Sequence, residues 1–136
     1  MDQLKTFSIL SSTLPEDGDW EADSEQPVGR NVLEVVLMMF SRYGFTDLEV
    51  NLRGYYGWEA IPRKGKLRFH LVIQPDPDSD RDQYLLICDP KPGILPFGRP
   101  EPAEYRAVLD ALYEYIDASD EIKLIRAMTK HAFETG

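Results

Sequence analysis

Cys88 and His70 are the residues of this chain best suited by type to nucleophilic chemistry, because an imidazolium beside a thiol favours the reactive thiolate. Cys88 ends the apolar run YLLIC, and His70 lies in LRFHLVI. If the loop between these two predicted strands is symmetric, Cys88 faces Phe69 or His70 across a hairpin. A small enzyme using Cys88 and His70 is therefore one hypothesis. A cysteine in an apolar strand more often packs as a small hydrophobe, so we predict a buried Cys88 and no catalytic residue.

Other chemistries have weaker signals. A zinc site needs three or four ligands, and Cys88, His70 and His131 are widely spaced. The chain has no phosphate-binding glycine loop and no GxSxG nucleophile elbow. Glu49 and Glu59 are expected on neighbouring strands close to arginines, which favours ion pairing over acid–base catalysis. The sequence therefore predicts no cofactor and no metal.

Two acidic segments carry the whole net charge. EDGDWEADSE at 16–25 contributes −6 and DPDSDRD at 76–82 contributes −3, which together equal the formal charge of −9. The rest of the chain is balanced. Negative charge repels phosphates, so nucleic acid is not the expected partner.

Both segments have three interpretations: a solvated loop, a calcium loop or a surface that faces a basic protein. Alternating aspartates begin a calcium loop, but Arg81 stands where such a loop needs glycine and Ile87 where it needs glutamate. The first segment departs in the same way at Ala22 and Val28. Calcium is therefore the weakest of the three.

The aromatic cluster YYGW offers the residue types that most often anchor protein interfaces, although a core role for Trp58 is favoured. Together with the acidic segments it defines the candidate partner-binding residues: Asp17, Asp19, Trp20, Glu21, Asp23, Tyr55, Tyr56, Trp58, Asp76, Asp78, Asp80 and Asp82.

The elements that must position these residues begin with a helix over 32–43, where Asn31 is the predicted N-cap and Gly44 the C-cap. Residues 32–40 are almost all apolar, so this helix is either central to the core or shared with a second copy in a homodimer. Alternating apolar residues then predict strands at 48–52 and 66–73.

The next segments are WEAI, which follows a bend at Gly54 and Gly57, and the strand YLLIC. The proline-rich loop 89–102 separates these strands from a helix whose apolar stripe begins at Tyr105 and ends at Ile116. Ser119 is the predicted N-cap of a last helix, DEIKLIRAMTKHAF.

This order predicts an α+β fold in which one helix precedes an antiparallel meander of three or four strands and two helices follow it, mainly on one face. We expect one domain over 1–136, with an acidic N-terminal segment at about 15–27. The longest apolar run, residues 35–40, is too short to cross a membrane, and the N-terminus does not resemble a signal peptide.

A single cysteine fits a reducing compartment, so we expect a cytoplasmic protein. The charge pattern favours a small acidic binding protein that neutralises a basic protein partner, most concretely an immunity protein that inhibits a bacterial toxin domain. The alternatives are a homodimeric adaptor or secretion chaperone that dimerises through helix 32–43, and the small enzyme described above.

Overall fold

The computed structural model describes residues 4–15, 18, 26–53, 57–76, 83–91 and 101–129. Its elements, in chain order, are β1 (Thr6–Ser12), α1 (Arg30–Arg42), β2 (Asn51–Arg53), β3 (Gly57–Ala60), β4 (Arg63–Lys64), β5 (Leu67–Pro75), β6 (Gln83–Pro90), α2 (Pro102–Ala118) and β7 (Ile122–Thr129).

In the part of the chain that is described, seven strands form one antiparallel sheet. Its strand order is β2-β3-β5-β6-β1-β7, and the short β4 pairs with the start of β5. The first strand of the chain therefore lies in the interior of the sheet, between β6 and the last strand.

The two helices pack on one face of this sheet. The main core lies between them and the inward side chains of the strands, among them Phe69, Leu71 and Ile73 of β5. The opposite face has a second, smaller apolar cluster of Phe7, Ile9 and Leu85. Both faces of the central strands are thus apolar. No helix of the described residues is both long enough and apolar enough to span a membrane.

Helix α1 is mostly buried, although Met38 remains half exposed. Gly44 adopts a positive φ of 88° just after the helix, which confirms its predicted role at the C-terminus. The predicted N-cap is wrong: the helix begins after Gly29, and the Asn31 side-chain amide instead donates to the Pro15 carbonyl oxygen at 3.2 Å. A homodimer through residues 32–43 would have Met38 and Tyr43 as its large exposed apolar contacts.

Helix α2 has the predicted buried stripe, which consists of Tyr105, Val108, Leu109, Leu112 and Ile116. Its first turn is stabilised because Glu101 and Glu104 each accept a hydrogen bond from the backbone N–H of the other.

The predicted last helix is wrong, because residues 122–129 form β7. The Ser119 hydroxyl does accept the N–H groups of Glu121 and Ile122, at 3.1 and 3.3 Å, as a helix N-cap would. The chain nevertheless continues as a strand, since β1 offers it a free edge. A bulge opposite Ile9 and Leu10 interrupts the alternation of β7 and gives its apolar residues a spacing that resembles a helix.

The predicted meander of three or four strands is also wrong, because the sheet has seven strands and includes both ends of the described chain. Strand β1 was not anticipated. Phe7 and Ile9 lie on the open face, whereas the face towards the helices has Leu10 beside Ser8, whose hydroxyl bonds the Tyr113 hydroxyl. TFSILSS therefore alternates only as far as Ile9, too short a run to mark a strand. The strand expected at 48–52 is reduced to the exposed β2, since Asp47 has a positive φ of 59° and Leu48 and Val50 pack from an irregular segment.

Candidate functional site

The side chains of Cys88 and His70 lie on opposite faces of the sheet. In the observed register Cys88 pairs with Leu71, and His70 pairs with Asp89, so the pairing is displaced by one or two residues from the one supposed. Leu71 and Cys88 both belong to the main core. The predicted burial of Cys88 is confirmed. Burial, and secondarily the adjacent Asp89 carboxylate, raises the pKa of its thiol far above the ordinary value. This geometry does not form a cysteine–histidine nucleophile.

The open face of the sheet, opposite the helices, contains a polar network around Glu59. The Glu59 carboxylate lies 2.6 Å from the His70 Nε2 atom and 3.9 Å from the Arg53 Nε atom. These residues are partly exposed and come from β2, β3 and β5. The network ties three strands together by cross-strand pairing, as expected for Glu59.

Metal ligands are not grouped in the described part of the chain, where no cluster of three or more suitable side chains occurs. The two segments considered as calcium loops lie outside the described residues, except for Gly18 and Asp76. His131 also lies outside them.

The strand directions bring the candidate partner-binding segments to one end of the sheet. Strands β1, β2 and β5 run towards this end, and β3, β6 and β7 begin there. Consequently the connections 13–29, 54–56 and 76–82 all attach at the same end. These segments are far apart in sequence, and only the topology unites them.

The first acidic segment is fastened to this end on both sides. A Cβ atom on Gly18 would collide with the backbone oxygens of Gln26 and Pro27, so glycine is required for this close approach. The indole N–H of Trp58 donates to the Pro27 carbonyl oxygen at 2.7 Å in a buried hydrogen bond. Residues 19–25 therefore leave and rejoin the described structure at neighbouring points.

Glycines also allow the chain to pack tightly beneath this end. A Cβ atom on Gly57, directly after the connection 54–56, would collide with the backbone carbonyl oxygen of Ile73. Gly29 has a φ of 117° and lies against the side chains of Ile73 and Tyr84. The starts of α1 and β3 are thus held against the end of β5.

The C-terminus of α2 adds further carboxylates here. Asp117, Asp120 and Glu121 are exposed, and the Glu121 carbonyl oxygen accepts the Thr13 N–H at 2.9 Å. This bond fixes the start of β7 beside the end of β1. We call this region the acidic end; its described acidic residues are Asp76, Asp117, Asp120 and Glu121.

An open groove of about 340 Å³ lies between α1 and the end of α2, next to the acidic end. Val35, Met38 and Ala118 line it together with Tyr115, whose ring lies 5.5 Å from the Arg42 guanidinium, and Asp120 and Glu121 form its acidic border. Met38 is 50% exposed and separates this groove from a second one of about 280 Å³ beside Leu48. The arrangement offers apolar contact area beside negative charge.

Of the predicted partner-binding residues, the structure describes Trp58 and Asp76. Trp58 is only 5% exposed, so it offers a partner little surface and acts through the Pro27 hydrogen bond instead. Asp76 is half-buried and its N–H bonds the Gln83 carbonyl oxygen, closing the base of the second acidic connection. The others lie outside the described residues: Asp17, Asp19, Trp20, Glu21, Asp23, Tyr55, Tyr56, Asp78, Asp80 and Asp82.

The sequence interpretation missed Asp120, Glu121 and Met38. A signal for the carboxylates existed, since acids recur after the buried stripe of α2, but they were assigned to the first turn of a helix that does not form. Comparison with known proteins found no family model, curated protein or solved structure that matches the chain.

Proposed function

We propose that this protein is a binding protein that engages a basic protein partner through its acidic end. The single observation that supports it most is topological: connections that carry −6 and −3 of charge attach to the same end of the sheet, where Asp117, Asp120 and Glu121 are exposed. Folding gains nothing from gathering like charges, whose repulsion costs free energy. A cationic partner would remove that repulsion.

Charge at this end acts mainly on the rate of association. A concentrated negative field steers a cationic partner during encounter, and contacts that exclude water then determine how long the complex lasts. The groove beside Met38, which Tyr115 and Arg42 also line, supplies contact surface for an apolar or aromatic side chain of the partner.

The specific form of the proposal is an immunity protein that inhibits a bacterial toxin domain. Toxins that act on nucleic acids need basic clefts, and an acidic end with an adjacent apolar groove is complementary to such a cleft. The support for this form is that complementarity of charge and shape.

Site-directed photo-crosslinking tests the proposal. A crosslinking residue would replace Ser119 at the acidic end or, in a matched control, Lys66 at the opposite end, and the captured protein would be identified after reaction in the native cell. We expect Ser119 to capture a basic protein that Lys66 does not capture.

The purified partner then allows a kinetic test. Replacing Asp78, Asp80 and Asp82 with Asn, or Asp17, Asp19 and Asp23 with Asn, should lower the association rate. The loss should shrink between about 0.05 and 0.5 M salt, because the Debye length contracts from about 14 to about 4 Å. Capture of the same basic partner at both ends, or association that is independent of salt and of both triple variants, would refute the proposal.

A further inference from the structure

The end of the sheet opposite the acidic end is rich in cations. The turn between β4 and β5 has the sequence RKGKLR at 63–68, with four basic residues and no acid. Lys91, after β6, and Lys5, before β1, lie at the same end. We call this region the basic end; its residues are Lys5, Arg63, Lys64, Lys66, Arg68 and Lys91, six of the fifteen lysines and arginines of the chain.

The contacts of these residues show that they form one surface. The Lys91 N–H donates to the Arg68 carbonyl oxygen at 2.8 Å, and the Arg68 Nε–H donates to the Lys91 carbonyl oxygen at 3.0 Å. Lys5 and Lys91 share the Asp89 carboxylate, at 3.8 and 3.2 Å. The start of β5, the end of β6 and the residue before β1 are therefore held together.

The hairpin turn is likewise held against the end of α1. The Lys64 ammonium lies 5.7 Å from the centre of the Tyr43 ring, and Arg63 forms an ion pair with Asp47 at 3.1 Å. Among the described residues of the basic end, Asp47 and Asp89 form ion pairs with its cations. The exposed Glu101 and Glu104 at the start of α2 lie at the same end, so six cations face these four carboxylates. The surface thus has an excess of positive charge.

The two ends are far enough apart to act independently. Strand β5 runs from one to the other over nine residues, a length of roughly 26 Å at about 3.3 Å per residue. At physiological ionic strength charges are screened within about 8 Å. An approaching molecule therefore senses the charge of one end rather than the net charge of the protein.

We infer that the basic end is a docking surface for the acidic end of a second copy of this chain. The argument is charge complementarity: the chain presents an excess of cations at one end and carries −9 of charge in connections attached to the other. Because the contact joins two different surfaces, it is head-to-tail and repeats from copy to copy. The inference does not require the proposed function, since it concerns the purified protein alone.

Sedimentation velocity at micromolar concentration tests this inference. At about 0.03 M salt we expect species larger than the 15.6 kDa monomer, and at about 0.3 M salt we expect the monomer. The variant Lys64→Glu, Lys66→Glu should remain monomeric at both salt concentrations. Both side chains are exposed, so circular dichroism should show an unchanged fold.

A mixing experiment separates this contact from any other. The second variant is Asp78→Asn, Asp80→Asn, Asp82→Asn, Asp120→Lys, Glu121→Lys, which keeps the basic end and loses most charge at the acidic end. Each variant alone should be monomeric at low salt. Mixed in equal amounts, they should form a dimer that grows no further, since each supplies one intact surface.

Three results would overturn the inference. They are a monomeric wild-type protein at low salt, association that persists at high salt, and a mixture that stays monomeric. Binding of heparin to the wild-type monomer but not to Lys64→Glu, Lys66→Glu, without self-association, would replace the second copy with a polyanion.

Discussion

Cys88 shows how its position in the sheet determines the chemistry of a single residue. The thiol lies in the main core and burial raises its pKa, so it stays protonated through neutral pH. We expect Cys88→Ser to lower the free energy of unfolding by roughly 1–3 kcal/mol, because it places a hydroxyl in apolar surroundings. Denaturant unfolding measures the loss, and Cys88→Ala is the control without a polar group. Rapid modification of the native protein by iodoacetamide at pH 7 would contradict burial.

The raised thiol pKa also predicts a pH dependence of stability. Below about pH 8.5 the thiol is neutral in both states and contributes no pH dependence. Above it the unfolded thiol ionises while the folded thiol does not, so stability falls by up to about 1.4 kcal/mol per pH unit. Cys88→Ala should lack this fall between pH 8.5 and 9.5 in urea unfolding. Burial raises the pKa of Tyr105 as well, but the unfolded value near 10 places its effect at higher pH.

Trp58 is expected to stabilise the acidic end without touching a partner. Trp58→Phe keeps the ring in the core but leaves the buried Pro27 carbonyl oxygen without its donor, at a cost of about 1–3 kcal/mol. The matched control is Arg30→Gln, which removes the cation 5.2 Å from the Trp58 ring at an expected cost below about 1 kcal/mol. Urea unfolding compares the two. Equal losses would show that the hydrogen bond contributes little.

Among the elements, helix α1 provides a matched pair of neighbouring methionines. Met38 is 50% exposed and Met39 is 3% exposed. Met38→Glu should change stability by no more than about 0.5 kcal/mol, whereas Met39→Glu should cost several kcal/mol because it buries a carboxylate. Thermal unfolding of both variants measures the difference. A large loss from Met38→Glu would mean that this side chain is covered, for example in a homodimer through α1.

Local sequence patterns correctly predicted the elements whose own residues show a clear helical period or a clear turn. The stripe of α2 and the glycine after α1 were correct because a helical period and a positive φ leave clear marks in a sequence. Strands β1 and β7 were missed for a physical reason: β1 alternates over four residues only and buries the polar Ser8 beside Leu10, and a bulge disturbs the alternation of β7. The two strands pair with each other, so neither can be recognised from its own residues alone.

The candidate site could likewise be predicted from the sequence only in part. Charge counting located the acidic segments, because charge is additive along a sequence. That these segments attach at one end of the sheet depends on the directions of the strands, which no local sequence pattern reveals. Which face of the sheet Cys88 and His70 occupy depends on the pairing register of β5 and β6. The observed register differs from the expected one by one or two residues, and a shift of one residue moves a side chain to the other face.

For the whole molecule, the decisive alternative to a charge surface is calcium binding. Replacing Asp78, Asp80 and Asp82 with Asn should leave the melting temperature unchanged or slightly higher, because it relieves repulsion without removing a ligand site. Addition of about 10 mM calcium should not stabilise the wild-type protein. A site with a Kd near 0.1 mM would instead add about 2.7 kcal/mol at that concentration. Calcium stabilisation that the Asn variant abolishes would identify a metal loop.

The place of β1 inside the sheet has a consequence for biosynthesis. Residues 6–12 leave the ribosome before every other strand of the sheet, yet they pair only with β6 and β7, which begin at residues 83 and 122. At about 5–20 residues per second, β1 waits roughly 6–25 seconds for its second partner. Before β6 emerges, Phe7, Ile9 and Leu10 lack their native neighbours, and until β7 follows one edge of β1 stays unpaired, which favours aggregation. Until β7 is complete, the nascent chain therefore presents an unpaired strand edge.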